Sequence, residues 1–449
     1  MLTTISIDDV DSPFGGCTTH FAGILLKRIS ARAALADYPL LIRLNPAIPW
    51  KTRGNAAVVI RIVYEGDPRD LLEEVSGLAE EYTSAEAPSP GKYPGVAILV
   101  GRPWRPRLRS LYIRALKDVV TRDTALRVAE KEGVLVWGGR GVIGALSSIA
   151  ALAPWDDYSF ELIAYRRPES RGERCVDYSR LVELEASSRP CTYNNFDPIG
   201  RRVTATPRGP DPVLAGFRGD CPDDLIRMLN SLCEKPHFWV MYRSNQHTDV
   251  HARRLDSLRP YKTGVIEVVV EGKPRVISGG HVIVPVRTPE GSPVDVAFYR
   301  ETDPLNRVSR ELRPGDRLRV LGSIRPYTPG GRPVMAAQKL WVLGVSNSYI
   351  TAAQLCPRCG RRMKSKGGAL DYCPRCGYVA RKMRRRIPLA RSLLPGEYTP
   401  REGNIPHLVK PLTRTRNTRR LAGKKASPHG AQHRVASLPG VRLQAPLKL

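Results

Sequence analysis

Two short cysteine knuckles, Cys356-Pro357-Arg358-Cys359-Gly360 and Cys373-Pro374-Arg375-Cys376-Gly377, constrain this chain more than any other feature. Each ends in a glycine, which lets backbone N–H groups turn toward the sulfurs. Four thiolates at that spacing suit tetrahedral Zn²⁺ in a closed structural site with no open position for chemistry. A redox dithiol normally occurs once, beside a βαβ pattern, so the doubled motif predicts a zinc ribbon over 350–380. Interleaved Arg358, Arg361, Arg362, Lys364, Lys366 and Arg375 give that ribbon the charge of a nucleic-acid clamp.

The rest of the chain shares that charge unevenly. The formal net charge is +28, and Val379 to Leu449 alone carries 17 basic against 2 acidic residues. A polyanion is the natural partner, through counterion release. A membrane is disfavoured, because there is no apolar run of about 18 residues and no signal-peptide layout at Met1. A cytoplasmic protein is therefore expected. Cys175, Cys191, Cys221 and Cys233 lack metal spacing and read as buried or free thiols of a reducing compartment.

At 449 residues the chain exceeds one core, and roughly 150 residues per domain implies about three units. Over 1–157, strand-like runs (Thr3 to Ile7, Ala57 to Tyr64, Val96 to Val100, Val134 to Trp137) alternate with helical patterns near Thr19 to Leu35, Arg69 to Tyr82 and Ser110 to Glu132, predicting an α/β domain. Over 158–255 the order reads β-α-β-β-α-β, a ferredoxin-like α+β sandwich that does not specify function, with Arg201 to Ala205 as its second strand. Five β-branched runs over 256–347 predict an OB-fold barrel. After the ribbon, the basic segment 381–449 has little apolar surface and is expected to be disordered without RNA.

Chemistry concentrates at the N-terminus. Ile5-Ser6-Ile7-Asp8-Asp9-Val10-Asp11-Ser12, followed by Cys17-Thr18-Thr19, sets three carboxylates and several hydroxyls at the end of a short apolar strand. Converging carboxylates repel one another, and a fold usually tolerates them beside a cation; Mg²⁺ takes one or two carboxylates plus phosphates. The same spacing fits a strand end with turn-forming and capping Asp and Ser. Gly138-Gly139-Arg140-Gly141-Val142-Ile143-Gly144 follows a strand and opens a helix, an order that binds phosphate through free N–H groups, with Arg140 adding charge. It is not a Walker A motif, lacking the Gly-Lys-Ser/Thr ending, and a plain tight turn fits as well. The loop Arg43 to Asn55 is broken by Pro and Gly and rich in donors, as ligand-contacting loops are. Gln246 to His251 reads as a polar linker at a domain boundary.

Together these segments resemble one family, the archaeal agmatidine synthases, which are 2-agmatinylcytidine synthetases of the minor isoleucine tRNA. The resemblance is carried by Ile7-Asp8-Asp9, Asp11-Ser12, Cys17-Thr18-Thr19, the loop Arg43 to Asn55, Arg140-Gly141 with Ile143-Gly144-Ala145, Pro207-Arg208-Gly209-Pro210-Asp211-Pro212, Arg243-Ser244-Asn245-Gln246 with Thr248-Asp249, and the Cys356 to Cys376 ribbon. It extends to about Pro411, and the chain departs from it at Val10, Gly16 and His247, the last standing where the family has Gly. The resemblance implies a kinase-like domain, a ferredoxin-like unit, an OB-fold and a zinc ribbon, in that order. It implies an ATP-dependent ligase that joins agmatine to C2 of the wobble cytidine of a CAU-anticodon tRNA, consuming ATP to AMP after phosphoryl activation of the C2 oxygen.

On that resemblance Asp8, Asp9 and Asp11 hold Mg²⁺, and Thr18 (with Thr19 as its neighbouring alternative) is the threonine that becomes phosphorylated. Asn55, Gly139, Arg140, Gly141 and Gly144 face ATP. Asp211 and Asp249 are candidates for dicationic agmatine, and Cys356, Cys359, Cys373 and Cys376 hold Zn²⁺. Its partners are the tRNA and agmatine, with no obligate protein partner. The competing class, a non-catalytic OB-fold and zinc-ribbon protein binding single-stranded nucleic acid, would be marked by loss of Asp8, Asp9 and Asp11, and all three are present.

Overall fold

In a computed structural model, residues 1–12, 14–51, 54–86, 93–170, 172–327 and 330–415 are described. Segment 416–449, about half of the expected tail, lies outside them, as do Thr52 and Arg53 of the ligand-contacting loop. The molecule is a mixed α/β multidomain structure built on a nine-stranded sheet and a closed five-stranded barrel.

The sheet runs in the order Val213–Gly219, Ser159–Tyr165, Phe238–Ser244, Leu40–Arg43, Ala56–Val63, Leu2–Asp8, Gly95–Val100, Leu135–Gly138, with the short Ala34–Leu35 also on Ala56–Val63. Leu2–Asp8 lies between two antiparallel neighbours, pairing Ile5 with Ile60 and with Ile98. Its flanks differ in kind. Ile5 and Ile7 pack with Phe21, Leu25 and Ile29 of the helix Thr18–Ile29 and with Val75 and Ala79 of the helix Pro68–Glu86. On the sheet's other face, Val59, Ala97 and Leu99 pack with Leu108, Leu111, Val142, Ala145 and Leu146 from the helices Pro106–Ala115 and Val142–Ser148. Full burial of each such side chain contributes about 1.5–3 kcal/mol. The helical pattern expected over Ser110 to Glu132 is two helices, Pro106–Ala115 and Arg122–Glu132, the second capped by the Thr121 hydroxyl and closed by left-handed Gly133.

The boundary expected at 157/158 does not divide this sheet. Parallel pairing of Arg243 and Ser244 with Leu40 and Leu41 makes the second unit a continuation of the first. Within that unit, only three strands join the sheet. The expected strand Arg201 to Ala205 shrinks to Arg202–Val203, paired with Phe196–Asp197 in a separate hairpin. The thiol reading is also corrected: Cys175 pairs with Cys233 and Cys191 with Cys221 in disulfides, because folding brings residues 58 and 30 apart in sequence to Cα separations of 5.3 and 5.4 Å.

The barrel closes through Thr263–Val270, Arg317–Arg325, Val334–Gly344, Pro293–Phe298 and Val282–Arg287, the last returning to the first. Its centre is filled by Val284, Val296, Phe298, Val320 and Leu340. It is fastened to the sheet by Asn45, fully buried, which donates to the Tyr261 carbonyl (2.8 Å) and accepts from the Thr263 hydroxyl (2.8 Å).

Over 381–415 the expected disorder does not hold. Arg384–Leu389 pairs with Ser348–Ala353 as a two-stranded stalk carrying the cysteine region. Gly396–Tyr398 then adds to the barrel strand Val334–Gly344, and the chain runs on to Arg414. This strap folds because other elements supply its core. Ile405 and Val409 bury against Leu321, and Arg414, 4 % exposed, bonds Asp157, Asp220 and the carbonyls of His247 and Tyr158. Gln246 to His251, read as a polar linker, is the seat of that strap: the N–H groups of His247 and Asp249 donate to the carbonyls of His407 and Leu408.

Candidate functional site

The strand Leu2–Asp8 ends where its hydrogen-bonding neighbours also end, which delivers Asp8 to the sheet edge. Asp9 follows in a left-handed conformation, φ 63°, and its N–H donates to Asp8 Oδ1 (2.8 Å). The chain turns and re-enters as the helix Thr18–Ile29, whose first residue is 5 % exposed and donates its hydroxyl to Asp11 Oδ1 (3.1 Å). Thr19 points elsewhere, with Oγ1 3.0 Å from Cys17 Sγ. Burial, with Asp9 and Asp11 adding like charge, holds the Asp8 carboxyl well above the usual carboxylate range. An added cation reverses that cost, so the donor set fits Mg²⁺.

The glycine turn works differently from its expected role. The N–H groups of Gly139 and Gly141 are spent on the carbonyls of Pro94 (2.9 Å) and Tyr93 (2.7 Å), so they do not form a free phosphate cradle. What the glycines supply is proximity: a Cβ on Gly144 would overlap Asp8 Oδ2, and one on Gly141 would lie 2.6 Å from the Asp8 carbonyl. The charge the turn offers is Arg140, whose Nη2 sits 3.1 Å from Asp9 Oδ2.

These residues form one wall of a cleft of about 620 Å³. Asp8, Asp9, Asp11, Thr18, Thr19, Asn55, Arg140, Gly141, Gly144 and Asp211 all line it, and Gly139 does not. Ile48, Trp50, Val119, Val120 and Ile143 form an apolar sector. Asp211, 6 % exposed, also lines the cleft and comes from the second part of the sheet domain, close enough for its charge to raise the pKa of the Cys17 thiol. Its loop is gripped by Arg174, which donates to the carbonyls of Val213, Pro207, Gly209 and Asp211 at 2.6–3.2 Å, next to the Cys175–Cys233 disulfide. Asp249 is not in the cleft. Its carboxylate takes the buried Lys339 ammonium (2.6 Å) and the Lys410 N–H (2.7 Å), fixing the strap.

A polar floor that the sequence did not reveal completes the cleft. Glu161 on Ser159–Tyr165 faces Arg218 (3.2 Å) and Arg43 (3.8 Å) and accepts from Gln246 Nε2. Gln246 Oε1 meets His407 Nδ1 (2.9 Å). Arg43 and Gln246 stood in recognisable motifs, but Glu161, Arg218 and His407 carry no local signal, being single residues joined only by folding. His247, where the resemblance leads one to expect Gly, adopts φ 56°, a backbone that favours glycine, and its Nε2 lies 3.0 Å from Asn194 Nδ2.

In the cysteine region, the ligand atoms of Cys356, Cys359, Cys373 and Cys376 lie within 4.8 Å of one another. Gly360 and Gly377, both at φ 71°, return their N–H groups to the carbonyls of Cys356 and Cys373. Four convergent sulfurs fit tetrahedral zinc.

Comparison with known proteins agrees with this arrangement. Residues 4–140 match the TiaS TCKD domain model and 139–251 the TiaS FLD domain model. TiaS of Acidilobus saccharovorans, an isoleucine tRNA 2-agmatinylcytidine synthetase, is 48 % identical over 410 residues, covering 91 % of this chain and 93 % of that one. The crystal structure of TiaS in complex with isoleucine tRNA and ATP superposes with a TM-score of 0.81 at 31 % identity, over 92 % of this chain and 97 % of that one. A complex of TiaS with isoleucine tRNA, AMPCPP and agmatine does so at 0.78 and 28 %, with the same coverage.

Proposed function

Because this chain belongs to the TiaS family of isoleucine tRNA 2-agmatinylcytidine synthetases, we infer that its cleft carries out the ligation of agmatine to C2 of the wobble cytidine, with ATP as the energy source. The observation that carries the reading is the Thr18 hydroxyl held on Asp11 inside an acidic cluster of a cleft large enough for nucleotide and amine. Asp11 is set to accept the Thr18 proton as the hydroxyl attacks a phosphorus of ATP, whose phosphoanhydride bond breaks as the remainder of the nucleotide leaves, and this geometry favours Thr18 over Thr19. Asp8, Asp9 and Asp11 are the residues that would hold Mg²⁺, which when bound neutralises phosphate charge. Arg140 exchanges Asp9 for a phosphate oxygen. Asn55, Gly141 and Gly144 shape the phosphate side, and the sector of Ile48, Trp50, Val119, Val120 and Ile143 suits adenine. Asp211 offers a carboxylate to one end of agmatine.

Parallel pairing of Pro293–Phe298 with Val334–Gly344 in the closed barrel supports reading it as an OB-fold. With the ribbon of Cys356, Cys359, Cys373 and Cys376 and its Zn²⁺, it grips RNA while the target base is drawn from its stack, which costs a few kcal/mol. No helix among the described residues is long and apolar enough to cross a membrane. Labelled agmatine, ATP and Mg²⁺ incubated with transcripts bearing CAU or another anticodon test the reading. Label confined to the CAU isoleucine transcript is the expected result; tight tRNA binding without label or ATP turnover overturns it.

A further inference from the structure

A second cavity of about 280 Å³ abuts the cleft and shares Arg43, Gly54 and His407 with it. Its other walls include Gln338 of the barrel and Pro406 and Leu408 of the strap, so it lies between the cleft and those two elements. Two side-chain atoms stand where the cavities meet. A Cβ on Gly54 would overlap Arg43 Nη1 and lie 3.2 Å from His407 Nε2. Neither atom has a hydrogen-bond partner among the described residues.

Their polarity is fixed by a relay. The Glu161 carboxylate can only accept, so Gln246 turns its amide nitrogen to it and its Oε1 toward Arg43 Nε (3.3 Å) and His407 Nδ1 (2.9 Å). An amide oxygen only accepts, so Nδ1 carries the proton and Nε2 is left as a bare acceptor. The Arg43 guanidinium, then burial, push the imidazole well below its ordinary pKa, which keeps Nε2 unprotonated at neutral pH. The pair is therefore one donor beside one acceptor, held by groups that cannot exchange roles.

We propose that this pair reads the Watson–Crick edge of the target base, with Arg43 Nη1 donating to N3 of cytosine and His407 Nε2 accepting from its N4 amino group. Uracil presents N3–H and O4 at those positions, so both contacts invert. A bidentate pair of this kind discriminates about 5- to 150-fold. The assignment rests on the ligation reading above, and the experiment separates the two. CAU and UAU transcripts of the same tRNA are compared for kcat/KM of agmatine incorporation by wild type, His407→Leu and His407→Gln, whose amide oxygen restores an acceptor. Absence of label on CAU RNA with wild type overturns the ligation reading and this assignment with it. With wild type active, the expected result is a CAU-to-UAU ratio that falls at least tenfold in H407L and is retained in H407Q. An unchanged ratio in H407L, or equal loss of the ratio in both variants, overturns the assignment. If both variants are inactive, transcript affinities decide: a preference for CAU kept by H407L overturns it, and a preference lost by H407L supports it.

Discussion

The cysteine ribbon and the catalytic cleft are both polar sites, but they are assembled in opposite ways. The ribbon draws all four sulfurs from Cys356 to Cys376, with its own glycines closing its own knuckles. The cleft draws on residues from Asp8 to His407, brought together by a shared sheet, an Arg174-held loop and a strap returning from the barrel. A local site keeps its geometry when distant parts change, whereas a dispersed one depends on every anchor that holds its walls in register.

The sharpest way to divide the two is Thr18→Ala, which removes the hydroxyl on Asp11 and touches nothing in the ribbon. Ligation is expected to fall about 10³-fold or more with tRNA affinity unchanged, measured by label incorporation and filter binding. Arg414→Met attacks the dispersed assembly from afar. Asp220 loses its buried partner while the part-exposed Asp157 keeps Lys410, a cost of about 3 kcal/mol, read as a Tm lower by several degrees with the cysteine region unaltered. Chelation of zinc, or Cys359→Ser, tests the opposite side. tRNA affinity is expected to fall about ten- to a hundredfold while the full chain still binds an ATP analogue; equal loss of both would break the division.

The smallest effect concerns Glu185, which burial and the nearby Glu402 of the strap push up to about 7 from 4.5. The folded protein keeps a proton there that the unfolded chain has released, so stability is full below about pH 4.5 and declines as pH rises through 7. Glu185→Gln should gain about 1–3 kcal/mol at pH 8 and nothing at pH 4 in denaturant titrations.

The sequence was legible where a site is local or a pattern is periodic. Cys356 to Cys376 announced their geometry by spacing, and the barrel strands by β-branched alternation. Asp8, Asp9 and Asp11 stood out because three carboxylates follow one short apolar strand, whereas Thr18 was singled out only by the family resemblance. Cys175 and Cys191 were misread because no spacing betrays a partner 58 or 30 residues away. The glycine turn misled for a related reason: whether its N–H groups are free depends on Tyr93 and Pro94, which the motif does not contain. The strap looked disordered because its apolar residues are few. Ile405 and Val409 suffice only because Leu321 is waiting for them.

The strap also sets an order of events during synthesis. Domains emerging from the ribosome generally fold from the N-terminus onward, at about 5–20 residues per second. The sheet, the barrel and the ribbon each have their strands in hand before residue 396 is made. The cleft does not: the backbone N–H of His247 and the amide oxygen of Asn194 await His407 and Gly403, and the carboxylates of Asp157 and Asp220 await Arg414. A nascent chain thus completes its sheet, barrel and cysteine region before the floor of its cleft exists, and the cleft takes its final shape only when the strap has returned to it.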